Sequence, residues 1–283
     1  EKEISKAHPY SELDASIPAE PFYEKRGYSV LEECEEKFGE ENIRWKVYRK
    51  RLWCEEEIPK AVILDFYGTV VHEAYQLLDR IALAFRAGGA AAGDRDIQEM
   101  WWRDFAGVCD LCYGASFRPQ KELYADVLTG MAERTNAKVD VAALVSEVID
   151  FSRTSEIFED SKRFLRECPL PVYILSNIDN EELSIMFKCN AICPVASFTS
   201  EQARAYKPRA EIFEKGLASF GLRPAEAVYI GDSLRNDYYG ARGAGMRSVW
   251  INRTGASVPE DVEFSVPDLY SVLDYIKEWK DAR

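Results

Sequence analysis

"AVILDFYGTVVHE", Ala61 to Glu73, is the stretch from which the rest of the chain is read. Four apolar residues run straight into Asp65, and the chain then turns at Gly68. A short continuous apolar run is the mark of a strand buried on both faces, as in a parallel sheet. A carboxylate at the end of such a strand stands on the edge where open α/β sheets bind ligands. "PVYILSN" (171–177), "AVYIGDS" (227–233) and "RSVWIN" (247–252) repeat the form, with "VASFTS" (195–200) as a weaker strand. Helical patterns separate them. "RAEIFEKGLASFG" (209–221) has Pro208 near its start and Gly221 at its end, and "DLYSVLDYIKEWK" (268–280) closes the chain. The expected fold class is α/β, a Rossmann-like doubly wound parallel sheet.

Residues 58–73 and 169–283 make up that core, and 74–168 interrupt it. The interruption has helical periodicity throughout, in "YQLLDRIALAFRA", "DIQEMWWRDFAGVCDLCY", "KELYADVLTGMAERTN" and "VAALVSEVIDFSR". A helical cap inserted after the first strand's loop is expected to sit over the ligand crevice as a lid. Residues 1–57 read as a small α+β appendage. "SELDAS" is a strand end, "IPAEPFYEKRG" a short helix, and "YSVLEECEEKFG" with "IRWKVYRKRLW" two antiparallel strands. A unit this small is expected to pack on the core or on another chain.

Composition narrows the function. The net charge of −13, from 36 basic and 49 acidic residues with no Lys/Arg block, argues against a nucleic-acid partner. No apolar stretch approaches the ~20 residues of a membrane span, and "EKEISKAHPY" has no signal-peptide core. The expectation is a cytoplasmic protein without a membrane partner. Seven cysteines in such a chain read as reduced thiols. Cys109 and Cys112 lie far from Cys189 and Cys193, with no histidine near either pair, so buried apolar cysteine is preferred to a metal site.

Four signals converge on the chemistry. Asp65 ends the first strand, Ser176-Asn177 the second and Asp232 a later one; Asp237 follows, and Lys207 comes from a loop before a helix. In a parallel sheet all strand C-termini share one edge, so residues far apart in sequence meet there. An aspartate so placed can act as a covalent nucleophile. A lysine offsets the clustered carboxylates, and hydroxyl groups hydrogen-bond an anionic substrate. Asp65 with Asp232 also suits Mg²⁺, which takes one or two carboxylates and keeps waters.

"DFYGT", "LSN", "YKP" and "GDSLRNDYYGARGAGM" resemble, in order and spacing, the four motifs of the haloacid dehalogenase superfamily. The resemblance implies a Rossmann-like core with a helical cap between the first two motifs. It implies Asp65 as nucleophile, Thr69 and Ser176 as substrate hydrogen-bonders, and Lys207 as the positive charge beside the nucleophile. In metal-dependent members the ligands would correspond to the Asp65 carboxylate, the Tyr67 backbone carbonyl and Asp232, with Asp237 as an acid behind them. Tyr67, Gly68 and Asn177 are further candidates to line the substrate.

Tyr67 departs from the phosphatase pattern. Phosphatases of this superfamily carry a second aspartate there, which protonates the leaving alkoxide, an effect worth ~10²–10⁴-fold. A halide needs no proton, and "DFYGT" looks like the L-2-haloacid dehalogenase branch. That branch places an arginine after a tryptophan in the cap, and "MWWRDF" offers Arg103. The fourth motif pulls the other way, because the dehalogenases lack its first acid and this chain keeps Asp232. The leading expectation is a Mg²⁺-dependent phosphatase acting on a small anionic, phosphorylated metabolite. The alternatives are a carbon–halogen hydrolase and a catalytically degenerate binding module. "LDASIPAEPFYEKRGYSVLEE" with "RWKVYRKRL" resembles the carboxyl-terminal end of a GNAT acetyltransferase, with Tyr23 at the place of its proton-donating tyrosine. The acetyl-CoA loop of that fold is absent from this sequence, so a packing appendage is preferred.

Overall fold

The computed structural model describes residues 10–19, 22–23, 28–38, 41–51, 59–73 and 76–281. They fall into two units, Glu1–Ile58 with Asp274–Arg283, and Pro59–Leu273. In the first, β1 (Tyr10–Ser16), β2 (Ser29–Phe38) and β3 (Glu41–Arg51) form an antiparallel sheet in the order β1-β3-β2. Tyr28 and Tyr48 are buried, and the Tyr23 ring packs within 6 Å of both. Residues 24–27, 39–40 and 52–58 lie outside the described residues.

The second unit is built on six parallel strands. These are β4 (Ala61–Leu64), β5 (Val172–Ser176), β6 (Ala196–Thr199), β7 (Ala227–Gly231), β8 (Arg247–Ile251) and β9 (Ser265–Val266). Their order is β6-β5-β4-β7-β8-β9, with β4 and β7 central and fully buried. The order reverses at β4, so the crevice beside Asp65 is the topological switch point of the sheet. The two-residue β9 carries too short a pattern to stand out in the sequence.

Four cap helices follow β4: α1 (Gln76–Ala87), α2 (Asp94–Leu111), α3 (Gln120–Thr135) and α4 (Val141–Ser152). Their apolar residues recur at helical spacing, Ile81 with Phe85, Ile97 with Trp101 and Leu144 with Val148, and close into one cluster. Asn136 ends α3 in the left-handed conformation, and the Asp140 side chain caps α4 at 3.0 Å from the Ala143 N–H. The cap ends at Ser152, short of the expected 168. The next helix, α5 (Glu159–Glu167), belongs to the core, where its buried Asp160 accepts hydrogen bonds from Arg253 at 2.9 Å and the Leu269 N–H at 2.7 Å. The remaining core helices are α6 (Asn180–Cys189) and α7 (Ala210–Phe220); α8 (Leu269–Asp281) starts in the core unit, and its residues from Asp274 on fall in the first unit.

Core residues hold the cap down. The Asp179 carboxylate accepts the N–H groups of Gln120 and Lys121 at 2.8 and 3.2 Å, filling the N-terminus of α3. Arg235 of the core reaches Asp110 of α2 at 2.6 Å. Cys109 and Cys112 are buried beneath the cap against Leu123 and Tyr206, whereas Cys189 and Cys193 are exposed. Among the described residues no helix is long and apolar enough to cross a membrane.

Candidate active site

Beyond the C-terminal end of β4 lies a cavity of about 510 Å³, floored by the sheet edge and roofed by the cap. Asp65, Ser176, Lys207, Asp232 and Asp237 all border it. Residues from four parts of the chain therefore meet at one rim. The backbone sets this up locally. The turn after Asp65 passes through Gly68 at φ +76°, and a Cβ on that residue would overlap the Asp232 carboxylate. Only glycine lets the two loops close. Arg253 fixes the same turn from behind, donating to the Gly68 and Thr69 carbonyls at 3.1 and 2.8 Å. At the fourth motif, Leu234–Tyr239 winds as a π-helix and turns Asp237 back over Gly231, where again a Cβ would collide with it.

Lys207 is the hub. It is 3% exposed, and its Nζ donates to Asp65 Oδ1 at 2.6 Å, Asp237 Oδ1 at 2.6 Å and the Tyr229 hydroxyl at 3.0 Å. The Tyr229 hydroxyl in turn donates to the Leu175 carbonyl at 2.8 Å. Burial pulls the Lys207 ammonium down, but the Asp237 and Asp65 carboxylates outweigh it and hold the group up at about 12. Asp237 Oδ2 accepts the Ser233 N–H at 2.9 Å, so both its oxygens are committed to holding the lysine and the loop.

Asp65 and Asp232 are less engaged. Asp65 has one oxygen on Lys207, and Asp232 accepts the Thr69 hydroxyl at 3.2 Å. Oxygens of Asp65, Asp232 and Asp237 lie within 4.8 Å of one another, the one such cluster among the described residues. Burial, then the charges of Asp237 and Asp65, push the Asp232 carboxyl well above its usual range. Such a crowd of hard oxygens fits a small divalent cation. Asp65 and Asp232 have the free oxygens for it; Asp237 does not.

The expected substrate residues divide. Ser176 borders the cavity and Thr69 is spent on Asp232. Asn177 also borders the cavity, and its amide accepts the Lys207 N–H at 2.7 Å and donates to its carbonyl at 3.3 Å, so it braces the lysine loop. Tyr67 aims its hydroxyl at the end of the cap, donating to the Ser152 carbonyl at 3.2 Å with Glu182 at 3.4 Å. Burial and the Glu182 charge push its phenol up. Arg103 is not brought to the cavity: its side chain is 68% exposed and paired with Asp104. Trp101 and Phe105 face inward on α2, and Arg103, about 200° round from Trp101, faces out.

Several residues were not legible beforehand. Tyr229 is one polar group inside an apolar strand, and Arg253 stands alone after another. Glu73 also borders the cavity. Burial, and then the Asp65 charge, push its carboxyl up to about 7 from an ordinary 4.5, against the pull of Lys207. A carboxyl raised on folding holds its proton better in the native chain. The stability it contributes is full below pH 4.5 and lost as pH rises through about 7. Melting temperatures of the metal-free protein should therefore fall more steeply over that window in the wild type than in Glu73→Gln. Equal slopes would contradict the placement of this carboxylate.

The comparisons with known proteins agree with this geometry. A family profile described as haloacid dehalogenase-like hydrolase matches residues 59–245. Glyceraldehyde 3-phosphate phosphatase of Pyrococcus furiosus is 36% identical over 77 residues, which is 24% of this chain and 32% of that enzyme. The chain thus spans about a third of the length of that phosphatase. Haloacetate dehalogenase H-2 of a Moraxella species is 24% identical over 225 residues, covering 77% of this chain and 97% of the relative. The L-2-haloacid dehalogenase of Xanthobacter autotrophicus with chloropropionic acid covalently bound superposes with a TM-score of 0.63 at 18% identity, over 77% and 98% of the two chains. With the motif residues gathered at one sheet edge and the profile spanning sheet and cap, the chain belongs to the haloacid dehalogenase-like hydrolases.

Proposed function

We propose that this hydrolase is a Mg²⁺-dependent phosphatase working through a covalent aspartyl phosphate on Asp65. One observation carries the choice over a dehalogenase. Four carboxylates, of Asp65, Glu73, Asp232 and Asp237, border the cavity against two cations, Lys207 and Arg235. A haloacid carboxylate would meet net repulsion there. Asp65 and Asp232 would hold Mg²⁺, which supplies charge neutralisation for a phosphoryl group. With its free oxygen left to the cation, Asp65 would attack phosphorus through the Oδ1 that Lys207 holds; the bond to the leaving oxygen breaks, and that oxygen departs with the electron pair. Lys207 holds Asp65 in place through its Nζ at 2.6 Å. Water then attacks the phosphorus of the aspartyl phosphate and releases inorganic phosphate, restoring the carboxylate.

Tyr67 favours a second reading, halide displacement from a small 2-haloacid, because a halide needs no proton. Phosphate release from small phosphates, assayed with Mg²⁺ and with EDTA, separates the two. Turnover should require Mg²⁺. Halide release that persists in EDTA, without any phosphate turnover, would replace the phosphatase by the dehalogenase.

A further inference from the structure

Resting on the phosphatase reading, we infer that the substrate is an aryl phosphate, whose leaving group is a phenol-like oxygen on a flat apolar ring. Two independent features meet in this assignment. The first is the roof. Trp101 and Phe105 stack with their planes 2° apart and centroids 5.7 Å apart, and Tyr124 lies 5.2 Å from Phe105. Leu78 and Val148 complete this apolar face over the floor of carboxylates. Polar groups from the cap are few. The Ser152 hydroxyl already serves the Ile149 carbonyl at 2.8 Å and Glu182 at 2.9 Å. The others at the cavity are the Gln120 amide, the Tyr124 hydroxyl and the indole N–H groups of Trp101 and Trp102, all but the first on flat, otherwise apolar side chains. A polyol phosphate would leave most of its hydroxyls without partners under this roof, which is costly. An aromatic ring loses nothing there and gains ring contacts.

The second feature is the missing acid. Where the phosphatases that the first motif resembles carry a second aspartate, this chain has Tyr67, and its hydroxyl is turned to the end of the cap. An alkoxide leaves poorly without a proton. A phenolate, with a conjugate acid of pKa roughly 10, leaves unaided. In the proposed step the Asp65 oxygen forms a bond to phosphorus and the phosphorus–aryl oxygen bond breaks. The phenolate takes the electron pair and later a proton from water. A cavity of about 510 Å³ accommodates one substituted ring and its phosphate.

Phenyl and benzyl phosphate test this on the full chain with Mg²⁺, since they share a ring but differ in the acidity of the alcohol released. Phenyl phosphate should exceed benzyl phosphate in kcat by about 100-fold or more, the range of an absent general acid, with similar KM. Trp102, which borders the cavity and is 43% exposed, can be replaced without opening the core. Trp102→Ala should raise KM for phenyl phosphate about tenfold more than KM for acetyl phosphate. Equal turnover of benzyl phosphate, with Glu73 as the obvious substitute donor, would overturn the inference. So would a glycerol or hexose phosphate turned over better than phenyl phosphate. In either case turnover of acetyl phosphate leaves the phosphatase standing. If acetyl phosphate and every ester are inert, both fall.

Discussion

Asp65→Asn is expected to reduce kcat by about 10⁵-fold, the scale on which removal of a covalent nucleophile is felt, and to leave a protein that melts higher without metal. The two effects have opposite signs for one reason. Asp65 is buried within reach of Asp232 and Asp237, and its charge is among the causes that raise both of their carboxyls. Neutralising it removes repulsion that the fold otherwise tolerates. The amide keeps the shape of the side chain and a hydrogen-bond acceptor for Lys207. Mg²⁺ should raise the melting temperature of the wild type, since a ligand stabilises the state it binds, and raise that of the variant much less. A variant with wild-type turnover, or with an undiminished Mg²⁺ shift, would remove Asp65 from both roles.

Much of this arrangement is legible in the primary structure, for an identifiable reason. Parallel strands buried on both faces write themselves as apolar runs, so β4, β5, β7 and β8 stand out, and whatever polar residue ends them stands at the ligand edge. Asp65, Ser176 and Asp232 are found that way. Lys207 is found because its loop must lie at the same edge. Legibility fails where side-chain direction decides. Arg103 follows a tryptophan pair, yet helical phase turns it outward while Trp101 and Phe105 turn in. Asn177 sits at a strand end and at the cavity, yet its amide is spent on the lysine loop. Glu73, Tyr229 and Arg253 carry no pattern of their own, and only the closed loops show what they touch. The cap boundary fails differently. The helix Glu159–Glu167 has the same periodicity as the cap helices, and its membership of the core is set by Asp160 meeting Arg253 across the fold.

Lys207→Met should be the most destabilising single change in the site. The methionine fills the same channel, so the loss is electrostatic rather than a cavity. What remains is Asp65 and Asp237, both buried, without the ammonium that bridges them at 2.6 Å on each side. Breaking a buried ion pair from one side typically costs about 3–5 kcal/mol. For a unit of this size that corresponds to a fall of roughly 6–20 °C in melting temperature. The loss has a pH signature. Asp237 already has its carboxyl pushed up to about 6 by burial and by Asp65 despite the lysine. Without it the carboxyl rises further, and protonation relieves the variant as pH falls, so the gap to wild type narrows between pH 8 and 5. Lys207→Met combined with Asp237→Asn should recover part of the stability and none of the activity, a coupling expected of groups in direct contact. A single variant melting within about 2 °C of wild type, well below that range, would show that Lys207 does not hold the carboxylates together.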